Sequence, residues 1–151
     1  MEDIKRILAV SWMTQSCQST VHYAVSLAAK YGAELSVINV IDKLWSQGWN
    51  LPTMSQAEER RKDVERVRAE LDNIIGGETD EGVKIKKIIK EGDPVEEILK
   101  VLGEEKIDLV IMRAHEEGRI ESLLVGSSND AIIRKMPCSI FLVKSKLEKV
   151  S

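Results

Sequence analysis

Cysteine, proline and aromatic residues are scarce in this chain. Its 151 residues include two cysteines, three prolines and 4% aromatic residues. Cys17 and Cys138 are too few and too far apart to indicate a metal site or a redox pair. We expect two reduced thiols, with Cys138 as a small core residue. Stability must therefore come from a hydrophobic core, and a chain of this length buries roughly 68–70% of its unfolded surface.

Long apolar runs and blocks of like charge are also missing. No stretch of 18 apolar residues occurs, and residues 1–10 lack the pattern of a signal peptide. The net charge is −3 without a basic block, which gives little support for nucleic-acid binding. The length suggests one domain, residues 1–151. We therefore expect a cytoplasmic protein with neither a membrane nor a nucleic acid as partner.

What the chain does contain is a set of short apolar runs. Continuous runs of four to six apolar residues are typical of parallel strands that are buried on both faces. The predicted strands are Ile4–Ser11, Leu35–Ile41, Val83–Ile89, Ile107–Met112 and Ser139–Val143. Three lysines in the third run, Lys84, Lys86 and Lys87, favour an edge position.

Helical patterns alternate with these runs. The first has apolar residues at helical spacing and ends at Gly32. The second starts at a capping box at Ser55 and extends to about Ile75, and the third starts at Asp93-Pro94. The predicted buried positions are Val21, Ala24, Val25, Ala28 and Tyr31 in the first helix, and Val95, Ile98, Leu99 and Leu102 in the third. With a last helix at Asn129–Lys135, the pattern predicts an α/β doubly wound five-stranded parallel sheet.

The turn Gly126-Ser127-Ser128 lies between the fourth and fifth predicted strands and opens the last helix. Unpaired N–H groups and a partial positive charge at a helix N-terminus suit an anion such as phosphate. The same residues also suit an ordinary helix cap, in which a serine hydroxyl binds the first turn of its own helix. The turn alone therefore leaves both interpretations open.

The stretch from Arg113 to Ser127 resembles the nucleotide signature of the universal stress protein family. That signature reads Gly, two residues, Gly, nine residues, Gly, then Ser or Thr. Gly126-Ser127 matches its end, whereas Arg113 and Glu116 stand where the first two glycines are expected. Trp12 stands where family members that bind nucleotide typically have an aspartate. The sequence thus departs from the family pattern at three positions.

The resemblance covers nearly the whole chain and implies a fold like that of the adenine-nucleotide alpha-hydrolases, with strand order 3-2-1-4-5. Ligands in such sheets bind beyond the carboxyl ends of the strands, where the strand order reverses. The candidate site is then Val10 to Met13, Arg113 to Glu116 and the Gly126 turn. The residues predicted to bind a cofactor are Val10, Ser11, Trp12, Val40, Met112, Arg113, Glu116, Gly126, Ser127 and Ser128.

Three replacements in one signature argue against ordinary ATP binding, because glycines allow close backbone approach and side chains narrow that space. We predict a stress-response or regulatory module with no ATP cofactor bound in the usual way. The alternative is a sensor for a nucleotide, ATP or AMP, or for a small anion, in a remodelled pocket. Trp12, Trp45 and Trp49 are expected to form an aromatic plug over the vacated cleft. Alternatively, Trp45 and Trp49 only cover the core or a subunit contact.

Catalytic and metal sites have little support in the sequence. His22 and His115 lack a second ligand at metal-like spacing, and no serine or threonine is paired with a histidine by its spacing. The remaining expectation concerns partners. In the implied strand order the fifth strand is an apolar edge, which favours a homodimer through Ile140, Phe141, Leu142 and Val143. A further protein partner is also expected for a regulatory module.

Overall fold

The computed structural model describes residues 3–11, 17–42, 54–76, 82–113 and 134–144. Within these residues the strands and helices follow one another in the predicted alternation. The elements are β1 (Arg6–Ser11), α1 (Cys17–Tyr31), β2 (Glu34–Asp42), α2 (Met54–Gly76), β3 (Ile85–Gly92), α3 (Pro94–Glu104), β4 (Leu109–Arg113) and β5 (Ser139–Val143). The predicted helix at Asn129–Lys135 lies outside the described residues, apart from its last two.

All strand pairs in the sheet are parallel, and the strand order is 3-2-1-4-5. This confirms the order that the family resemblance implies. It also confirms the edge position of the lysine-rich strand β3, where Lys87 pairs with Asp72 of α2. The order reverses between β1 and β4, which are the central strands.

Two apolar clusters lie on opposite faces of the sheet. The α1 face packs odd-numbered residues of β1, β2 and β4 against α1 and α2, with Val21, Val25, Val67 and Leu71 buried. The α3 face packs the intervening residues against Ile98, Val101 and Leu102 of α3. The central strands are thus buried on both faces, as their continuous apolar runs predict.

Local sequence signals account for several element boundaries. Gly32 has φ +65° and lets the Ala33 N–H donate to the Ala28 carbonyl, which closes α1 as a Schellman motif. Asp93 caps α3 by accepting a hydrogen bond from the Glu96 N–H at 3.0 Å, and Pro94 is the first helical residue. Both signals were read correctly from the sequence.

The predicted bounds of β3 and the predicted burial of some residues in α1 and α3 were wrong. β3 begins at Ile85 and ends at Gly92, two to three residues later than predicted, because pairing with β2 continues to Asp42. Tyr31 was predicted to be buried but is 54% exposed, since it is the last residue of α1. In α3, Val101 is fully buried, whereas Val95 and Leu99 are only partly buried.

Candidate functional site

The carboxyl ends of the central strands separate at the reversal of the strand order. Pairing of β1 with β4 ends at Ala9 and Ile111, although β1 continues to Ser11. Pairing of β1 with β2, in contrast, continues to Ser11 opposite Asn39. The last residues of β1 and β4 are therefore outside the ladder that joins these two strands. Such a gap is where ligands bind in open α/β sheets.

Three predicted site residues point away from the α1 face. Val10 and Met112 are fully buried in the cluster beneath α3, and Val40 packs against the same cluster. Successive side chains of a strand point to opposite faces of the sheet. The side chains of Val10, Val40 and Met112 therefore belong to the hydrophobic core.

The α1 face ends in polar residues at the same level. Ser11 of β1 and Arg113 of β4 were predicted site residues, and by alternation both share a face with Ala9 and Ile111. Asn39 of β2 lies beside Ser11 in register. Its Nδ2 donates a hydrogen bond to Ser11 Oγ at 3.4 Å, and both residues are buried. The sheet thus places Ser11 and Asn39 side by side on strands about 4.8 Å apart, with Arg113 on the same face across the gap between β1 and β4.

Thr20 is a buried polar residue in the helix that follows β1. It lies in the first turn of α1, which starts at the carboxyl end of β1, and its exposed fraction is 0%. Neither Thr20 Oγ1 nor Asn39 Oδ1 has a hydrogen-bond partner in the part of the chain that the structure describes. A buried oxygen without a donor costs about 1–3 kcal/mol. We call Ser11, Thr20, Asn39 and Arg113 the switch-point cluster.

Arg113 gives the switch-point cluster its permanent positive charge. It is the last residue of β4, pairs with Val143 of β5, and is partly buried. Its guanidinium stands at the position where the resemblance expects the first signature glycine. A guanidinium there carries charge and hydrogen-bond donors but occupies space that a glycine would leave open.

Several predicted site residues lie outside the described residues. These are Trp12, Glu116, Gly126, Ser127 and Ser128, together with His115 and the tryptophans Trp45 and Trp49 of the expected plug. Their roles stay predictions.

Sequence analysis in turn missed Asn39 and Thr20. The signal for Asn39 was a single amide within the apolar run LSVINVI, where a polar residue must find a partner or bear the cost of burial.

Other features of the described residues are weaker candidates for a functional site. The described residues contain no group of three or more His, Cys, Asp and Glu side chains that could hold a metal ion. Among the described helices, none is both long enough and apolar enough to cross a membrane. A groove of about 320 Å³ lies at the amino end of the sheet, where Arg6 pairs with Glu34 and Lys86 with Glu105. Lys84 also lines this groove, but its other charged residues are paired in these two ion pairs, so it is a weaker candidate than the switch point.

Comparison with known proteins gives a family match over most of the chain. The model of the universal stress protein family matches residues 3–144. Universal stress protein MJ0577 of Methanocaldococcus jannaschii is 34% identical over 89 residues, which is 59% of this chain. The universal stress protein of Methanothermobacter thermautotrophicus is 29% identical over 76 residues, which is 50% of this chain. The chain spans 51% of the length of each of these two relatives.

Solved structures agree with the fold. The structure of MJ0577 has a TM-score of 0.75 and 25% identity, and the match covers 97% of this chain and 99% of that one. A universal stress protein in complex with cAMP has a TM-score of 0.69 at 17% identity, covering 94% and 98%. One from Archaeoglobus fulgidus in complex with dAMP has a TM-score of 0.60 at 14% identity, covering 93% and 98%.

Proposed function

Because the chain belongs to the universal stress protein family, we propose that it is a dimeric regulatory module of that family that does not bind ATP in the usual way. The observation that carries this proposal is Arg113 at the carboxyl end of β4. A partly buried arginine stands where the family signature has a glycine, next to the gap between the central strands. The sequence changes at Glu116 and Trp12 support the same conclusion, because each replaces a residue of the signature site.

The ATP part of the proposal is tested by equilibrium dialysis and tryptophan fluorescence during ATP titration, with and without magnesium. We expect no saturable binding up to millimolar ATP. The variant that combines Arg113→Gly, Glu116→Gly and Trp12→Asp restores the family signature and should gain ATP binding. Saturable binding by the unmodified protein at micromolar ATP would contradict the proposal.

The dimer part of the proposal rests on the β5 edge. Leu142 is 48% exposed, and Ile140 and Phe141 are only partly buried. Tyr23 of α1 extends this apolar edge, since its ring lies 5.8 Å from that of Phe141. An apolar edge strand with unpaired backbone groups is a site for pairing with a second copy, whereas lysines protect the opposite edge at β3.

Sedimentation at micromolar concentration tests the dimer. The wild type should sediment as a dimer, and Leu142→Lys should sediment as a monomer because it places a charge on the paired edge. Tyr31→Lys is the matched control, since Tyr31 is 54% exposed and is the last residue of α1, eight residues beyond Tyr23. A wild-type monomer, or an unchanged dimer in Leu142→Lys, would refute the interface.

We further propose a cytoplasmic location and a protein partner for the dimer.

A second candidate function is favoured by the switch-point cluster. The buried oxygens of Thr20 and Asn39 have hydrogen-bonding capacity that the described residues do not use. Two structurally similar family members were solved with cAMP and dAMP. This second candidate is a nucleotide or small-anion sensor with a remodelled pocket, and it is compatible with the loss of ordinary ATP binding.

A further inference from the structure

We infer that the open edge of β3 is a docking site for an acidic, extended segment of a partner protein, which pairs with this strand and enlarges the sheet. The inference rests on the proposed regulatory role and specifies the chemistry of its protein partner. Within the described residues β3 pairs with β2 alone, so its other side carries a row of unpaired backbone N–H and C=O groups. Such an edge is a template for the addition of a peptide strand.

The length and position of β3 suit strand addition. The strand contains eight residues, Ile85–Gly92, and all of them are in register with β2. Regular pairing on one side keeps the strand extended for a partner on the other side. The edge also lies at the opposite side of the sheet from β5. A dimer that forms through β5 therefore leaves the β3 edge accessible.

Lysine side chains line this edge on the α3 face. Lys84, Lys86 and Lys90 alternate along the chain and share a face with Ile88, which packs against α3. Lys86 pairs with Glu105 at 3.2 Å. Lys84 is exposed, Lys90 is partly buried, and neither forms an ion pair with a described residue. Two positive charges, about 20 Å apart along the strand, are thus left for a partner.

These charges discriminate between partner strands. A second copy of β3 would bring lysines close to lysines, and like charges directly opposite each other across two strands are destabilising. Opposite charges in the same positions are stabilising. A segment with Asp or Glu at every second residue therefore fits this face, whereas self-pairing is disfavoured. The edge strand β5, in contrast, is apolar and suits a second copy of the chain.

Protection of the edge is the alternative role for these lysines. Lysines on edge strands prevent aggregation, and that role needs no partner. It predicts that an acidic peptide does not bind better than a neutral one. Lys87, on the other face, pairs with Asp72 of α2, so it does not contribute a free charge. Any preference for an acidic strand must therefore depend on Lys84 and Lys90.

Fluorescence anisotropy with the full chain tests the inference. The probe is a fluorescein-labelled peptide of about nine residues that alternates Glu with Val, which is long enough to span both lysines. We expect saturable binding of this peptide and about tenfold weaker binding of a peptide that alternates Gln with Val. A peptide that alternates Glu with Pro keeps the charge but cannot continue a β ladder, because proline lacks the N–H group. It should also bind about tenfold more weakly.

Substitutions in the protein locate the docking site. Lys84→Glu combined with Lys90→Glu should weaken binding of the acidic peptide about tenfold or more. Lys30→Glu combined with Lys62→Glu is the matched control, because it changes the net charge equally at exposed positions of α1 and α2. Lys84→Gln combined with Lys90→Gln serves as a second variant should the charge reversal fold poorly, and it should bind several-fold more weakly.

Three outcomes would overturn the inference. They are no saturable binding of the acidic peptide at millimolar concentration, equal affinity for the Gln–Val or Glu–Pro peptide, or the same loss of affinity in the control as in the β3 variants. None of these measurements involves ATP or β5. A monomeric wild type or ordinary ATP binding would contradict the proposed function without changing the peptide result, so the two ideas fail separately.

Discussion

The two ends of the central strands differ in whether their polar groups have hydrogen-bond partners. At the amino end, the carboxylate of Asp108 accepts hydrogen bonds from the backbone N–H groups of Lys5 and Arg6, at 2.8 and 2.9 Å. At the carboxyl end, Asn39 and Thr20 are more deeply buried, and each retains an oxygen without a donor from the described residues. Buried polar groups in proteins are nearly always satisfied, so an exception requires an explanation.

This difference separates a polar residue whose hydrogen bonds join two strands from polar residues that leave hydrogen-bonding capacity unused among the described residues. Asp108 precedes β4 and ties the start of β1 to it across more than a hundred residues of sequence. Its bonds are complete in the protein as it stands. In the switch-point cluster, Thr20 Oγ1 and Asn39 Oδ1 have no hydrogen-bond partner among the described residues.

The largest effect on the free energy of unfolding is expected from a substitution at the amino end of the strands. Asp108→Ala should lower the free energy of unfolding by about 1–3 kcal/mol, because two backbone N–H groups lose a charged acceptor. Urea denaturation monitored by circular dichroism measures this. Asp3→Ala is the control, since Asp3 is exposed near the N-terminus. A change in Asp108→Ala no larger than in the control would remove the contrast between the two ends.

The sequence predicted the elements well because their signals are local. The apolar runs located all five strands, and Gly32 and Asp93-Pro94 marked a helix end and a helix start. The strand order came from the family resemblance, since periodicity does not specify which strands are neighbours. Tyr31 was misplaced because helical spacing says nothing about whether the sheet extends far enough to cover the last turn.

The sequence could not assign the predicted site residues to one face of the sheet, for a geometric reason. Adjacent strand residues face opposite sides of the sheet, so an error of one position exchanges a site residue for a core residue. Val10 and Ser11 were both proposed, yet only Ser11 shares a face with Asn39. Asn39 is recognised as a candidate site residue only when its burial and its single hydrogen bond are known. A sequence carries neither of these facts.

A smaller effect on the free energy of unfolding than that of Asp108→Ala is expected from a substitution at the carboxyl end. Thr20→Val should change the free energy of unfolding of the unliganded protein by less than about 0.5 kcal/mol, or raise it, because it removes an oxygen that makes no hydrogen bond within the described residues. The same urea experiment measures it. A loss as large as that of Asp108→Ala would show that Thr20 is satisfied in solution and that the switch-point cluster serves stability.

The smallest effect concerns Cys138, whose thiol lies near Asp108. Burial, and then the negative charge of Asp108, raise the pKa of Cys138 above its ordinary value of 9.0. Protonated Cys138 therefore favours folding. This contribution is complete below the unfolded pKa and is lost as the pH rises through the folded pKa.

Asp108→Asn keeps the shape of the side chain and removes the charge, so it should lower the pKa of Cys138. In a Cys17→Ser background, alkylation of Cys138 by iodoacetamide at pH 8 should accelerate a few-fold, because the thiolate is the reactive form. Asp72→Asn, on the exposed side of α2, should leave the rate unchanged. An equal rate in Asp108→Asn and wild type would mean that burial alone sets the reactivity of this thiol. Asp108 would then act at the amino end only through its hydrogen bonds to Lys5 and Arg6.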